Sequence, residues 1–155
     1  MITWRKERTI GADLETVWRL FSEDRIQRVM PNVIEHRLVH KEAGMVGSRY
    51  LQTYQQGSRR ETYTIQVLGY ENSRDRKQLK LGFVLAKLFE IRFSVTLVKK
   101  EEERTLLIFE GQNKGVNVAG RTFLKLGGKK ITQKVVDDFL GRVEREALKT
   151  TGQES

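Results

Sequence analysis

The sharpest pattern in the chain is a two-residue alternation over residues 89–98: Phe89, Ile91, Phe93, Val95 and Leu97 are apolar, and Glu90, Arg92, Ser94 and Thr96 between them are polar. Side chains alternate across a strand, so this spacing predicts one apolar face and one mostly wet face. The same period predicts six successive strands over residues 33–41, 49–55, 61–70, 77–85, 88–98 and 104–112, preceded by a strand over 3–10. Turn-forming clusters at 43–47, 56–58, 72–75 and 100–103 separate most of them, and connections this short predict a meander. Gly57-Ser58 suits a two-residue hairpin whose first central position needs positive φ. Ala86-Lys87 lacks that chemistry, which leaves a bulge within one longer strand as the alternative to a turn.

Elsewhere the period lengthens towards that of a helix. Asp13 is a fitting N-cap with Glu15 in the first turn, and Leu14, Val17, Trp18 and Phe21 fall at i, i+3, i+4 and i+7. A second short helix over 24–29 must end near Met30, because Pro31 disfavours helical geometry in the residue before it. Gly127-Gly128 breaks or kinks whatever helix 118–126 forms. Beyond it, Ile131, Val135, Phe139, Val143 and Ala147 recur every four residues beside Val136, Leu140 and Leu148, predicting about five turns with one broad apolar face. Residues 150–155 are expected to fray, leaving 1–149 as one domain.

A chain of 155 residues is long enough to enclose a core and a pocket, since a domain of this size buries roughly 70% of its unfolded surface. It has no cysteine, which excludes disulfides and thiolate metal sites. Charges at Arg5, Lys6, Glu7 and Arg8 interrupt the start before an apolar signal region forms, so a cytoplasmic setting is expected. The longest uncharged apolar run, 81–86, falls far short of the ~20 residues of a membrane-spanning helix.

A twisted antiparallel sheet of about seven strands, two short N-terminal helices and one long C-terminal helix covering the concave side is an α+β arrangement. The stretch Ile10-Gly11-Ala12-Asp13-Leu14-Glu15-Thr16-Val17-Trp18-Arg19-Leu20-Phe21, followed by Pro31-Asn32-Val33, resembles the opening of START-like (SRPBCC) proteins of the polyketide-cyclase/dehydrase and lipid-transport type. The likeness extends in element order over nearly the whole chain, through the proline after the second helix, the Gly44 to Gly47 turn and the final helix. It implies a helix-grip fold with a deep apolar pocket that binds lipids, sterols, polyketides or other hydrophobic molecules. No subfamily signature is present, so the resemblance assigns no catalytic residue.

Inward alternation nominates Tyr63, Ile65, Leu81, Phe83, Phe89, Ile91, Phe93, Leu107 and Phe109 as pocket walls, with Ile131, Val135 and Phe139 offered by the facing helix. His36, Tyr50, Tyr54 and Tyr63 are the candidates for orienting a ligand's polar group. His36 and His40 are four residues apart on one strand, about 13 Å, too far to converge on one ion, so no metal site is read there. Glu101-Glu102-Glu103, beside Lys99, Lys100 and Arg104, reads as a solvated turn. There is no Gly-x-Ser-x-Gly elbow and no Gly-rich phosphate loop, and no cofactor is implied.

Charge adds one further feature. The formal net charge of +9 and a pI near 9.9 favour anionic partners. From Gly111 to Val136 no acidic residue occurs, while Lys114, Arg121, Lys125, Lys129, Lys130 and Lys134 are interleaved with Val116, Val118, Phe123, Leu124 and Leu126. Such a stretch can dock on an anionic membrane surface or hold the acidic end of a ligand. The leading functional reading is binding or transport of a hydrophobic small molecule in a cavity between the sheet and the C-terminal helix. A cyclase- or hydrolase-like enzyme using His36 or a tyrosine, and association with nucleic acid or the ribosome through the basic surface, are the alternatives.

Overall fold

The computed structural model describes residues 1–154, with side chains through Thr150. Its elements run β1 (Ile2–Ile10), α1 (Leu14–Arg19), α2 (Ile26–Val29), β2 (Val33–His40), β3 (Arg49–Gln56), β4 (Arg59–Asn72), β5 (Arg76–Leu85), β6 (Phe89–Glu101), β7 (Arg104–Gly115), α3 (Val118–Phe123), a π-helical turn (Leu124–Gly128) and α4 (Lys129–Glu154). The strands form one seven-stranded antiparallel sheet in the order β1-β7-β6-β5-β4-β3-β2. The meander therefore pairs each neighbour in turn, and β1 closes the β7 edge.

Local chemistry explains the boundaries. Asp13 caps α1 by accepting from the Thr16 amide at 3.2 Å, and Met30 leaves helical geometry just before Pro31, ending α2. Gly57 sits at φ 61 between the paired residues Gln56 and Arg59, the two-residue hairpin that its sequence predicts. Residues 86–87 behave differently from the bulge alternative: the Leu88 amide donates to the Leu85 carbonyl, and Ala86 and Lys87 both take positive φ, 56 and 57. This is a true turn between two strands, held in an unfavourable backbone region by outside contacts. Glu61 accepts from the Ala86 amide at 2.6 Å, and the Asn117 side chain donates to the Lys87 carbonyl.

Register shifts at Val33/Glu35, Leu38/His40, Val67/Gly69 and Lys99/Glu101 add local twist and curl the sheet around its helices. The main core lies where α1, α2 and α4 meet β1, β6 and β7, with Ile10, Val17, Leu97, Leu107, Phe109, Phe139 and Val143 all buried. Arg142 donates to the Val29 carbonyl at 2.7 Å and Glu144 pairs with Arg8, tying α4 to α2 and to β1. The Lys77 ammonium is buried on β5, where it pairs with Glu15 of α1 at 2.9 Å and lies 5.8 Å from the Trp18 ring centroid.

One expectation about the last helix is corrected. An every-four ladder drifts about 40° around a helix at each step, so Ile131 and Val135 cannot share a face with Val143 and Ala147. The buried stripe is Val136, Phe139, Leu140, Val143 and Ala147, while Ile131 and Val135 are 53% and 58% exposed. The backbone is helical through Glu154, with the Thr150 hydroxyl donating to the Glu146 carbonyl; Ser155, the end of the stretch expected to fray, lies outside the described residues.

Candidate functional site

Directly beneath α4 the concave face is filled rather than hollow. Phe139 meets Phe109 at a ring separation of 4.7 Å, and Phe109 in turn contacts Trp4 and Phe93 at 5.6 Å each. Leu107, Phe109 and Phe139, expected to wall a pocket under the helix, are core residues there. Phe89 is buried at the far end of β6 with its ring against Phe123 of α3, forming the seat of that helix.

Beside α4 the same sheet face continues over β3, β4 and β5, covered only at its Tyr70 and Lys77 end, where Trp18 of α1 meets the Tyr70 ring at 5.9 Å. Ile65, Val67 and Leu81 form a second buried cluster, flanked by the partly exposed Met45, Tyr50, Tyr63, Tyr70, Leu79, Phe83 and Phe93. Strand register assembles it: Leu38 faces Tyr50 and Tyr50 faces Ile65, while His36 faces Gln52 and Gln52 faces Tyr63. Leu81 likewise faces Phe93, and Phe83 faces Ile91.

Within this apolar groove lies a chain of neutral polar groups. His36 Nδ1 is 2.8 Å from Gln52 Oε1, and Gln52 Nε2 donates to the Tyr63 hydroxyl oxygen at 2.6 Å. Because the amide oxygen only accepts, His36 Nδ1 carries the proton, leaving Nε2 as an acceptor and the Tyr63 hydroxyl proton free to be donated. Burial lowers the His36 pKa below 6.5, outweighing the Gln52 bond and the charge of Glu23, so the imidazole is neutral near pH 7. Burial likewise pushes the Tyr63 phenol up to about 12 and raises Tyr50. Tyr50 stacks on the His36 ring at 4.6 Å, and Tyr63 stacks on Phe83 at 5.0 Å.

The structure thus brings together His36, Tyr50, Tyr63, Ile65, Leu81, Phe83 and Phe93, with Ile91 half-buried next to them. Tyr54 is not in this chain: its hydroxyl donates to Gln56 and accepts from Asn32. Two further members were not anticipated. Gln52 is only 2% exposed, and its place between Tyr50 and Tyr54 on one strand face was the available signal. Glu23, in the α1–α2 loop, accepts from the Leu38 amide and sits close enough to act on both His36 and Tyr50. Nothing in the local sequence pairs that loop with β2.

A cavity of about 450 Å³ opens beside Tyr63, lined also by Glu61, Val84, Ala86 and Lys87, where β4 and β5 part beyond the pair Gln66–Gly82. A second, of about 490 Å³, lies on the face away from α4 and is lined by Arg92, Gln112, Lys114 and Arg121 among others. On the α4 side, Trp4 Nε1 and Asn113 Oδ1 are buried without a hydrogen-bond partner among the described residues. Asn113 is paired with Ile91 and Trp4 with Gly111, so both stand on the wall of the groove nearest β1. Lys114, Arg121, Lys125, Lys129, Lys130 and Lys134 are all exposed, clear of the groove residues His36, Gln52 and Tyr63.

A sheet that grips one long helix while two short helices close its end has close counterparts among solved structures. This is a helix-grip fold. A protein of unknown function from Staphylococcus aureus superposes on the helix-grip chain with a TM-score of 0.73, at 12% identity over 97% of this chain and 96% of the other. Norcoclaurine synthase from Thalictrum flavum, in complex with dopamine and hydroxybenzaldehyde, superposes with a TM-score of 0.62 at 13% identity over 96% and 87%. Ginseng major latex-like protein from Panax ginseng gives 0.59 at 19% identity over 94% and 93%. No protein-family profile and no curated protein matches the sequence. No helix among the described residues is long and apolar enough to cross a membrane.

Proposed function

We propose that the chain binds a hydrophobic small molecule on the open part of its concave face, with a hydrogen-bonding group of that molecule seated at His36 and Tyr63. The supporting observation is the His36–Gln52–Tyr63 chain set in a half-exposed apolar and aromatic groove. Tyr63, Leu79, Phe83 and Phe93, packed on the buried Ile65, Val67 and Leu81, supply the surface that an apolar body covers. The free Tyr63 proton suits a carbonyl or ether oxygen and His36 Nε2 suits a hydroxyl. Both groups are neutral, so they favour an uncharged polar group over a carboxylate. The unpartnered Asn113 oxygen on β7, three strands or about 14 Å from Tyr63, and the Trp4 indole N–H one strand further on β1 offer a second acceptor and donor for a ligand polar at both ends.

Native mass spectrometry of the purified chain, followed by denaturing extraction, tests this reading. The expected result is a copurified neutral amphipathic molecule, or saturable binding of the neutral probe N-phenyl-1-naphthylamine that weakens about tenfold in Leu79→Glu. A chain that carries nothing and does not bind the probe refutes it.

A second reading draws on the norcoclaurine synthase likeness, a protein solved with two aromatic ligands. In it the same groove is an enzyme site of cyclase- or hydrolase-like chemistry, with His36 Nε2 taking a proton and the Tyr63 hydroxyl giving one. Turnover of the extracted molecule would then fall roughly a hundredfold or more in His36→Ala and Tyr63→Phe. Binding without any turnover restricts the groove to carriage.

A further inference from the structure

We propose that α3, the π-helical turn and the first turns of α4 form a docking surface for an anionic phospholipid bilayer. Two independent properties coincide there. Val118, Leu126, Ile131 and Val135 are exposed apolar side chains, Leu126 the most at 81%. Gly127 at φ 118 breaks the helix just behind Leu126 and leaves that side chain out in solvent. Between these residues stand Arg121, Lys125, Lys129, Lys130 and Lys134, with Lys114 just before them at the end of β7, and among the described residues only Lys134 has an acidic partner, Asp138 at 3.8 Å.

The surface is held in place before any partner arrives. Asn117 accepts from the Gly120 amide at 2.9 Å, capping α3, and its amide nitrogen reaches the Lys87 carbonyl at 3.1 Å. Gly120 packs so tightly that a Cβ there would come within 2.2 Å of the Leu88 carbonyl oxygen. Phe123 is pinned against Phe89. The exposed residues are therefore presented by a seated helix rather than by a loose one.

The chemistry selects the occupant. Aliphatic side chains among lysines insert at the boundary between headgroups and acyl chains while the ammonium groups meet lipid phosphates. A single-stranded nucleic acid is recognised through stacking platforms and phosphate contacts. Here a single aromatic side chain, Phe123, is half exposed with its other side held edge-on by Phe89, one platform rather than the series that successive bases need, and one arginine stands among five lysines. Leu126 and Val118 contribute nothing to a polyanion in water, and exposed apolar area of this kind marks an interaction surface.

The test is flotation of the full chain with vesicles of equal parts phosphatidylcholine and phosphatidylglycerol, beside vesicles of phosphatidylcholine alone. The chain is expected to float only with the anionic vesicles. Lys125→Gln, Lys129→Gln and Lys130→Gln together should weaken binding about a hundredfold, and Leu126→Ser with Ile131→Ser about tenfold. All five positions are exposed, so circular dichroism melting should be unchanged. Tyr63→Phe, in the groove, should float like the unaltered chain. Absence of flotation overturns the proposal. So does an unaltered response in the Leu126→Ser and Ile131→Ser variant, or retention by poly-uridylate RNA in place of the anionic vesicles, either of which assigns the lysines to a polyanion instead.

Discussion

The concave face of this sheet is built twice from one pattern of alternation, and the two halves differ in what covers them and in the side chains that result. Along β6, Val95 and Leu97 lie in the closed core with α1 and α4, whereas Ile91 and Phe93, the preceding inward positions, remain half-exposed; Phe93 touches both clusters. On the covered half the rings of Trp4, Phe93, Phe109 and Phe139 satisfy one another. On the uncovered half a histidine, a glutamine and a tyrosine are bonded to one another among apolar neighbours. Alternation tells which way a side chain faces, but the presence of a helix above it decides whether that position becomes core or surface for a guest.

Removing one ring from each half is the most severe challenge to this division. Phe139→Ala opens a void in the packed half and should cost about 3–5 kcal/mol. Phe83→Ala on the open half should cost about 1–2 kcal/mol, since its ring is already partly in water. Urea denaturation of both variants measures the gap. Equal losses would mean that both halves are core, and the groove reading would fall with them.

Gln52→Leu comes next, because it removes a buried hub that serves two partners. His36 and Tyr63 each lose a bond inside the groove, a loss of about 1–3 kcal/mol. The sharper readout is ligand affinity: the leucine retains bulk while unfixing the His36 tautomer and the Tyr63 hydroxyl. A variant that binds the neutral probe as before, but loses selectivity for molecules bearing a carbonyl or hydroxyl, separates the greasy wall from the polar seat.

The pH dependence of stability probes the same half more gently. The folded chain lowers the His36 pKa, mainly through burial, so below about pH 6.5 the unfolded chain takes up that proton first. The His36 contribution is therefore complete above the unfolded value and declines as pH falls through the folded one. Denaturation midpoints measured from neutral into mildly acidic buffer should show this slope, and His36→Gln should flatten it. Glu23→Gln removes a neighbouring carboxylate that favours the charged ring, and should move the His36 titration lower still by NMR.

How legible this was depended on the range of the interactions. The strands, the Asp13 cap, the stop at Pro31 and the Gly57 hairpin follow from contacts within a few residues, and all stand where their residues place them. The 86–87 turn was ambiguous because its strained backbone is secured from afar, by Glu61 and Asn117. Alternation nominates His36, Tyr50 and Tyr63 and puts Gln52 on the face of Tyr50 and Tyr54, but the bonds that make Gln52 a hub come from His36 and Tyr63 across two strand pairings, which spacing along one strand does not show. Glu23 was invisible for the same reason, its partner Leu38 lying on another element.

The smallest expected effect tests the helix side of the comparison. Val135 and Val136 are adjacent, share a residue type, and point about 100° apart. Val136→Ala should cost about 2 kcal/mol, because it leaves a gap against the core. Val135→Ser should alter stability by less than about 0.5 kcal/mol, since its side chain already meets water. A large loss at Val135 would mean that α4 rolls in solution to bring its every-four ladder inward, closing the groove from the side. A negligible one keeps that face turned outward and free for the lipid surface.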